Sequence, residues 1–237
     1  MSMTPHRPLN RLHPQMPNTF GAFHITTFRL IWPSNFFSYV ARWMQVTFIS
    51  WFVLELTDSA FNVALVGFFH MAPLLICGVL GGVLADKVNK RKILIATQAS
   101  NLFFSLGFLL LLATNNAAVW HGYIVVCTIG FGWALDMPSR RSIIFDVIGE
   151  KGLTNALALD SIGMHGSRML GPTMAGFLIT IIGVSAGYGI ASLFYAISMF
   201  LIILVRVPAP QIVATTATNI LSNIAQGFQY ALSNRII

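Results

Sequence analysis

The sequence predicts an all-α membrane protein of six transmembrane helices, arranged as a 3+3 inverted repeat. Three observations carry that expectation. The chain is 56% hydrophobic and only 9% charged, with a mean hydropathy of +0.74, whereas soluble domains carry about 25% charged residues. Its apolar residues fall into runs long enough to cross a bilayer. Its lysines and arginines gather between those runs, on alternate connections.

Residues 1–25 are polar, hold four prolines with Arg7 and Arg11, and read as a cytoplasmic tail. They lack the apolar core of a cleaved signal peptide. The first span is expected over 29–56, with Pro33 in its opening turns, where proline is tolerated. Thr57-Asp58-Ser59 makes a tight turn and offers an amino cap to the next helix. The second span covers 60–85, with a kink expected at Pro73. The third covers 93–113 and turns at Asn115-Asn116. The fourth covers 117–137 and is expected to end at Asp136-Met137-Pro138, followed by a short amphipathic segment from Ser139 to Lys151. The fifth, 153–182, is rich in small residues, and the sixth covers 186–205. The bundle thus occupies 26–207. Residues 208–237 form a linker with a surface helix over 219–233 and the first residues of a seventh span.

This span count places Arg7, Arg11, Arg29, Lys87, Lys90, Arg91, Lys92, Arg140, Arg141, Lys151, Arg206 and Arg235 on one side and no basic residue on the other. The asymmetry orients the chain with both ends cytoplasmic. The same clustering at span ends argues against a nucleic-acid partner, despite the net charge of +7. Cys77 and Cys127 lie in apolar runs and read as small buried hydrophobes. No metal and no cofactor is expected: the sequence has no His-Glu-x-x-His and no Gly-x-Ser-x-Gly, and the histidines within its spans, at 70, 121 and 165, are single and scattered.

Two stretches stand out. In the first, 78–92, Gly78 and Gly82, like Gly81 and Ala85, stand four apart and strip bulk from a helix face. Asp86 follows at the carboxyl end, where the helix dipole disfavours an acid, so it needs a partner from elsewhere. Lys87, Lys90, Arg91 and Lys92 come next. In the second, Gly163, Ser167, Gly171 and Ala175 recur every four residues, with Pro172 able to bend the helix. Asp136 repeats the logic of Asp86, with Arg140 and Arg141 beyond it, and a shared cluster of Asp86 and Asp136 with Lys90, Arg140 or Arg141 is expected. Arg42 and Arg168 lie deep in the first and fifth spans. Each costs about 2.5–3.5 kcal/mol to insert, so each should face protein or water. Gln45 is one turn from Arg42 and should share its face. Asp160 is a possible partner or proton carrier, and His165 is the histidine nearest Arg168.

Gly82-x-Leu84-Ala85-Asp86, with Lys87 and the pair Lys90-Arg91 after it, resembles the signature loop of the major facilitator superfamily. Lys87 stands for an arginine of that pattern and Asn89 for its glycine. The resemblance implies that Asp86 and Lys90 help lock the cytoplasmic side, though a lysine lacks the arginine fork. Gly171-Pro172-x-x-Ala175-Gly176 is similar to the family's antiporter-type Gly-Pro motif, with alanine for one glycine. Phe28-Arg29-Leu30, residues 51–57, Pro138-Ser139-Arg140 and Ser167-Arg168-x-x-Gly171-Pro172 look like the enterobactin-exporter-like efflux branch. The resemblance implies a secondary active transporter of the bacterial inner membrane. It would move a small molecule outward by alternating access, against protons, with the site where the repeats meet. The chain would be the amino-terminal half, requiring a carboxyl-terminal half or a second copy. Its 163–167–171 face and loop cluster would then lack their partners. A membrane scaffold and an intramembrane enzyme are the rival classes. A siderophore, a drug-like amphiphile or a small metabolite would each suit an aromatic, arginine-containing cavity.

Overall fold

A computed structural model describes residues 20–87, 89–150 and 152–205, with only the helix backbone for 78–87. It is helical throughout: a 3-10 turn at Gly21–His24, then α1 (Thr26–Thr57), α2 (Ala60–Lys87), α3 (Lys90–Ala113), α4 (Val119–Ile148) and α5 (Leu153–Leu204). Among the described residues, three helices are long and apolar enough to cross a membrane by length and composition, namely Ala60–Cys77 within α2, all of α3 and all of α5.

The turns follow from local chemistry. Asp58 takes a left-handed conformation (φ 46°) after α1, and its N–H closes the helix on the Leu54 carbonyl at 2.9 Å. Ser59 Oγ then accepts the Asn62 N–H at the start of α2, at 3.4 Å. Asn115 is likewise left-handed (φ 54°) after α3, a conformation asparagine tolerates better than most residues. Asn89 caps α3 by accepting from the N–H groups of Arg91 and Lys92.

At 52 residues α5 would reach roughly 78 Å if straight, more than twice a bilayer core. It is not straight. Gly183 breaks the helix with φ 80° and ψ 173°, a backbone region open to glycine. The two arms, 153–182 and 184–204, fold back together, because Ala156 and Leu159 from the first share one apolar cluster with Ile202 from the second.

α1 is the axis of the bundle. It packs along α5 and also meets α2 and α4, while α2 lies on α4, and α3 lies on α4 and α5. One apolar cluster, around Met44, Phe48, Val53, Phe108, Val126 and Tyr188, joins α1 to α5. A second gathers Phe28, Ile31, Leu94, Ile143, Ile144, Leu159 and Ile202 at the basic end of the bundle.

Two expectations need correction. Residues 20–25 are not tail: Gly21 and Ala22 are buried, and the Ala22 N–H reaches Asn155 Oδ1 at 3.3 Å. The fourth helix does not stop at Pro138. α4 runs through it to Ile148, which makes the segment from Ser139 a continuation of the helix. Helices in membranes tolerate proline. Pro73 lies inside α2. The linker, its surface helix and the seventh-span start lie outside the described residues.

Candidate functional site

The polar residues of the interior fall in stripes of three-and-four spacing. On α1 these are Asn35, Ser38, Arg42 and Gln45; on α3, Gln98, Asn101 and Ser105. On the second arm of α5 they are Tyr188, Ser192, Tyr195 and Ser198. Each stripe is one helix face, and the helices turn these faces inward. Ser105 meets Ser192 at 2.6 Å, and Gln45 Nε2 donates to Ser105 Oγ. Ser34 Oγ donates to the Ser198 carbonyl at 2.9 Å.

At the basic end the stripes carry charge. Arg140 and Asp136 sit one turn apart on α4, with Nη2 and Oδ2 3.1 Å apart and both side chains 1% exposed. Thr97 Oγ1 of α3 donates to the other carboxylate oxygen. Arg140 Nη1 donates to Asn35 Oδ1, and Nη2 reaches Ser38 Oγ at 3.3 Å. Asn35 uses its amide in both senses, because its Nδ2 donates to Asp160 Oδ1 at 2.7 Å. Tyr39 donates to Asp160 Oδ2 at 3.3 Å. The Tyr39 ring also lies 5.6 Å from the Arg140 guanidinium carbon and 5.7 Å from that of Arg42. One connected set of side chains thus ties α1, α3, α4 and α5.

Beside it opens a cavity of about 280 Å³, lined by Tyr39, Met137, Arg141, Leu157, Asp160, Ser161 and Met164. Asp160 and Arg141 therefore face one space, although the sequence grouped them apart. Lys90 does not join the Asp136 cluster. Its Nζ pairs with Asp146 Oδ2 at 2.8 Å, nearer the surface. Arg91 Nη2 donates to the Ile203 carbonyl at 2.5 Å. The side chains of Asp86 and Lys87 lie outside the described set and Gly82 is described by helix backbone alone, so the Asp86 half of the expected cluster is not described.

Arg42 is 2% exposed, and its Nε and Nη2 have no hydrogen-bond partner among the described residues. It lies 5.1 Å from the Trp133 ring. Gln45 is buried on the same stripe, with its Oε1 unpartnered. Arg168 and His165 are exposed on the first arm of α5, and the Arg168 guanidinium carbon stacks 5.4 Å over Trp43. Deep arginine is thus handled in two ways, one enclosed by aromatic rings and one left on the bundle surface.

The small-residue face is not waiting for a missing half. Gly163, Ser167, Gly171 and Ala175 are all buried, and a Cβ on Gly171 would lie 2.6 Å from Trp43 Cβ. That face is spent on α1. Gly176, five residues on, has nothing within 4 Å and points away from the seam. Pro172 lies inside the helix without interrupting it. Of the scattered histidines, His70 is buried and stacked on Trp133 at 5.7 Å, and His121 Nδ1 accepts the Ala118 N–H at 2.9 Å. Asn35, Ser38, Tyr39 and Thr97 were not singled out from the sequence, although the spacing of the α1 stripe was there to be read.

The chain is 26% identical over 149 residues to the staphyloferrin A transporter of Staphylococcus aureus (strain NCTC 8325 / PS 47), a stretch covering 62% of this chain and 38% of that protein. The family described as transmembrane secretion effector matches residues 17–237. With a membrane bundle and charged side chains buried within it, the chain belongs to that family of major facilitator superfamily transporters.

Proposed function

We propose that the chain is the amino-terminal bundle of a secondary active transporter that exports a small molecule by alternating access, coupled to protons. The single observation that carries this reading is the Asp136–Arg140 pair, buried to 1% exposure and held from two other helices, α1 and α3, beside a cavity. Buried ion pairs contribute little net stability over apolar residues of the same volume, so their best-attested use is to specify one arrangement over another. A pair that fixes α1, α3 and α4 at one end of a bundle suits a gate that must hold and release.

In this reading the bundle crosses the inner membrane six times as three plus three helices, with its amino terminus in the cytoplasm. The fold-back of α5 at Gly183 supports the last two crossings. Lys90 with Asp146, together with Asp86, Lys87, Arg91 and Arg141, forms the cytoplasmic latch. A carboxyl-terminal half or a second copy completes the cavity, and Arg42, Gln45, His165 and Arg168 line the substrate path. Gly171, Pro172 and Gly176 set the packing along which the helices move. The named relative makes staphyloferrin A the first substrate to try.

Proteoliposomes test the reading directly. Labelled staphyloferrin A and, separately, a cationic dye would be offered under an imposed pH gradient. The expected result is saturable flux of one of them that collapses with the gradient and falls at least tenfold in Asp136→Asn and Asp86→Asn. Flux without gradient dependence would remove the coupling, and absence of flux with either probe from the complete reading frame would remove the transporter. Cysteine labelling of the Lys87–Lys92 and Asn115–Asn116 connections is expected to report opposite membrane faces, and labelling from one face would overturn the topology.

A further inference from the structure

We propose that Asp160 is the proton-loading residue, and that the chain Asn35–Arg140–Asp136 carries its protonation state to α4. The proposal rests on the proton-coupled reading above, and it names the residue and the route.

Two buried acids sit in this network and they are not equivalent. Asp136 touches the Arg140 guanidinium directly and is closed in by Thr97. Asp160 is 7% exposed, and its hydrogen-bond partners, Asn35 and Tyr39, are neutral. Among the described residues it makes no ion pair. It also lines the cavity, which Asp136 does not. A proton arriving through that space therefore meets Asp160 first. The charged and titratable groups around it are Tyr39 and Arg42 from α1, and Asp136, Arg140 and Arg141 from α4. From α3 the network receives only the neutral Thr97 and Gln98.

The route follows from Asn35. Its amide nitrogen serves Asp160 while its amide oxygen serves Arg140. A proton taken from water onto the Asp160 carboxylate removes one negative charge and turns one acceptor oxygen into a hydroxyl. With the proton on Oδ1 the new hydroxyl is a donor, and the Asn35 amide oxygen is a better partner for it than the amide nitrogen that served the carboxylate. If the amide turns to accept from the new hydroxyl, its oxygen leaves Arg140, whose guanidinium then has only Asp136 and Ser38. Release of the proton to water restores the first arrangement. The step needs no co-reactant other than water.

The test is pH-difference infrared spectroscopy on the full chain in lipid nanodiscs, with no substrate required. Acidification of the wild type is expected to produce, beside the bands of its exposed acids, one C=O band per chain at the high frequency of a carboxylic acid shielded from water, with a change in the arginine guanidinium bands. Asp160→Asn, of nearly the same shape, should abolish both. Asp146→Asn should leave both intact. Asn35→Leu should keep the carboxyl band and lose the guanidinium change. Tyr39→Phe removes only a hydroxyl, so the band should persist at a displaced frequency, which keeps the proposal testable if Asp160→Asn fails to fold. The shielded carboxyl band surviving in Asp160→Asn, a guanidinium change surviving in Asn35→Leu, or no shielded band in the wild type would each overturn the proposal. Loss of gradient-driven flux as a property of the wild type, with these bands intact, would instead sink the coupled-transport reading.

Discussion

α4 carries two ion pairs, and they differ in almost everything but charge. Asp136–Arg140 joins residues one turn apart within the helix, is 1% exposed on each side, and is held by α1 and α3 as well. Lys90–Asp146 spans two helices, with side chains 22% and 29% exposed and no further hydrogen-bond partner on either head group among the described residues. The first has lost its water and must be satisfied by protein. The second keeps partial access to solvent, which screens it. A deep pair answers to its neighbours, and an outer pair answers to salt. The difference suggests a division of labour in which the inner pair fixes how the helices stand and the outer pair adjusts how readily they part.

The largest effect should come from breaking the inner pair on one side. Asp136→Ala leaves Arg140 buried and uncompensated, and losses of this kind run to about 3–5 kcal/mol. Unfolding in mixed micelles with rising detergent denaturant is expected to report that loss. Arg140→Met with Asp136→Leu removes both charges and should recover most of it. A double variant as unstable as Asp136→Ala would mean that shape, not charge balance, governs the site.

Next in size is the seam that holds α1 in place beside the pair. A Cβ at Gly171 would come within 2.6 Å of Trp43 Cβ and 3.2 Å of the Met44 nitrogen and the Val40 carbonyl oxygen, so backbone must move. Gly171→Ala should cost about 1–3 kcal/mol through overpacking. Gly176→Ala meets open space and should be neutral or gain up to about 1 kcal/mol from helix propensity. Thermal unfolding of the two variants in one lipid checks the contrast. Equal behaviour would remove the seam from the account.

Much of this bundle is legible in the sequence, because bilayer crossing leaves a coarse signal. The helix ends at Thr57, Ala60 and Ala113 fall within a residue or so of those expected, since Asp58, Ser59 and Asn115 carry turn chemistry. Pro138 misled, because a proline inside a span need not end the helix. Charge was half legible. Asp136 with Arg140 could be anticipated from their spacing, and Lys90 with Asp146 could not, since 56 residues separate them. Asn35 and Tyr39 were hidden in an apolar background. Their signal is the three-and-four recurrence through Asn35, Ser38, Arg42 and Gln45, which hydropathy averaging erases. A stripe of that kind inside a span marks an inward face more sharply than any single charge.

The smallest effect on stability should come from the outer pair, and it is the one that separates holding from gating. Exposed pairs contribute about 0–1 kcal/mol, so Lys90→Ala and Asp146→Ala should each unfold within about 1 kcal/mol of the wild type. A double-mutant cycle would isolate the coupling. That coupling should shrink as salt is raised, because the Debye length falls from about 10 Å at 0.1 M to about 3 Å at 1 M. The Asp136–Arg140 coupling, shielded from ions, should stay constant over the same range. Salt sensitivity in the inner pair would mean that water reaches Arg140 and that the two pairs belong to one exposed cluster. Insensitivity in the outer pair would place Lys90 under more cover than its side-chain exposure of 22% allows. If the two pairs part company as expected, a charge reversal of Lys90 and Asp146 should retain the fold and shift only the balance between closed and open ends, measurable by distance distributions between spin labels on α2 and α4.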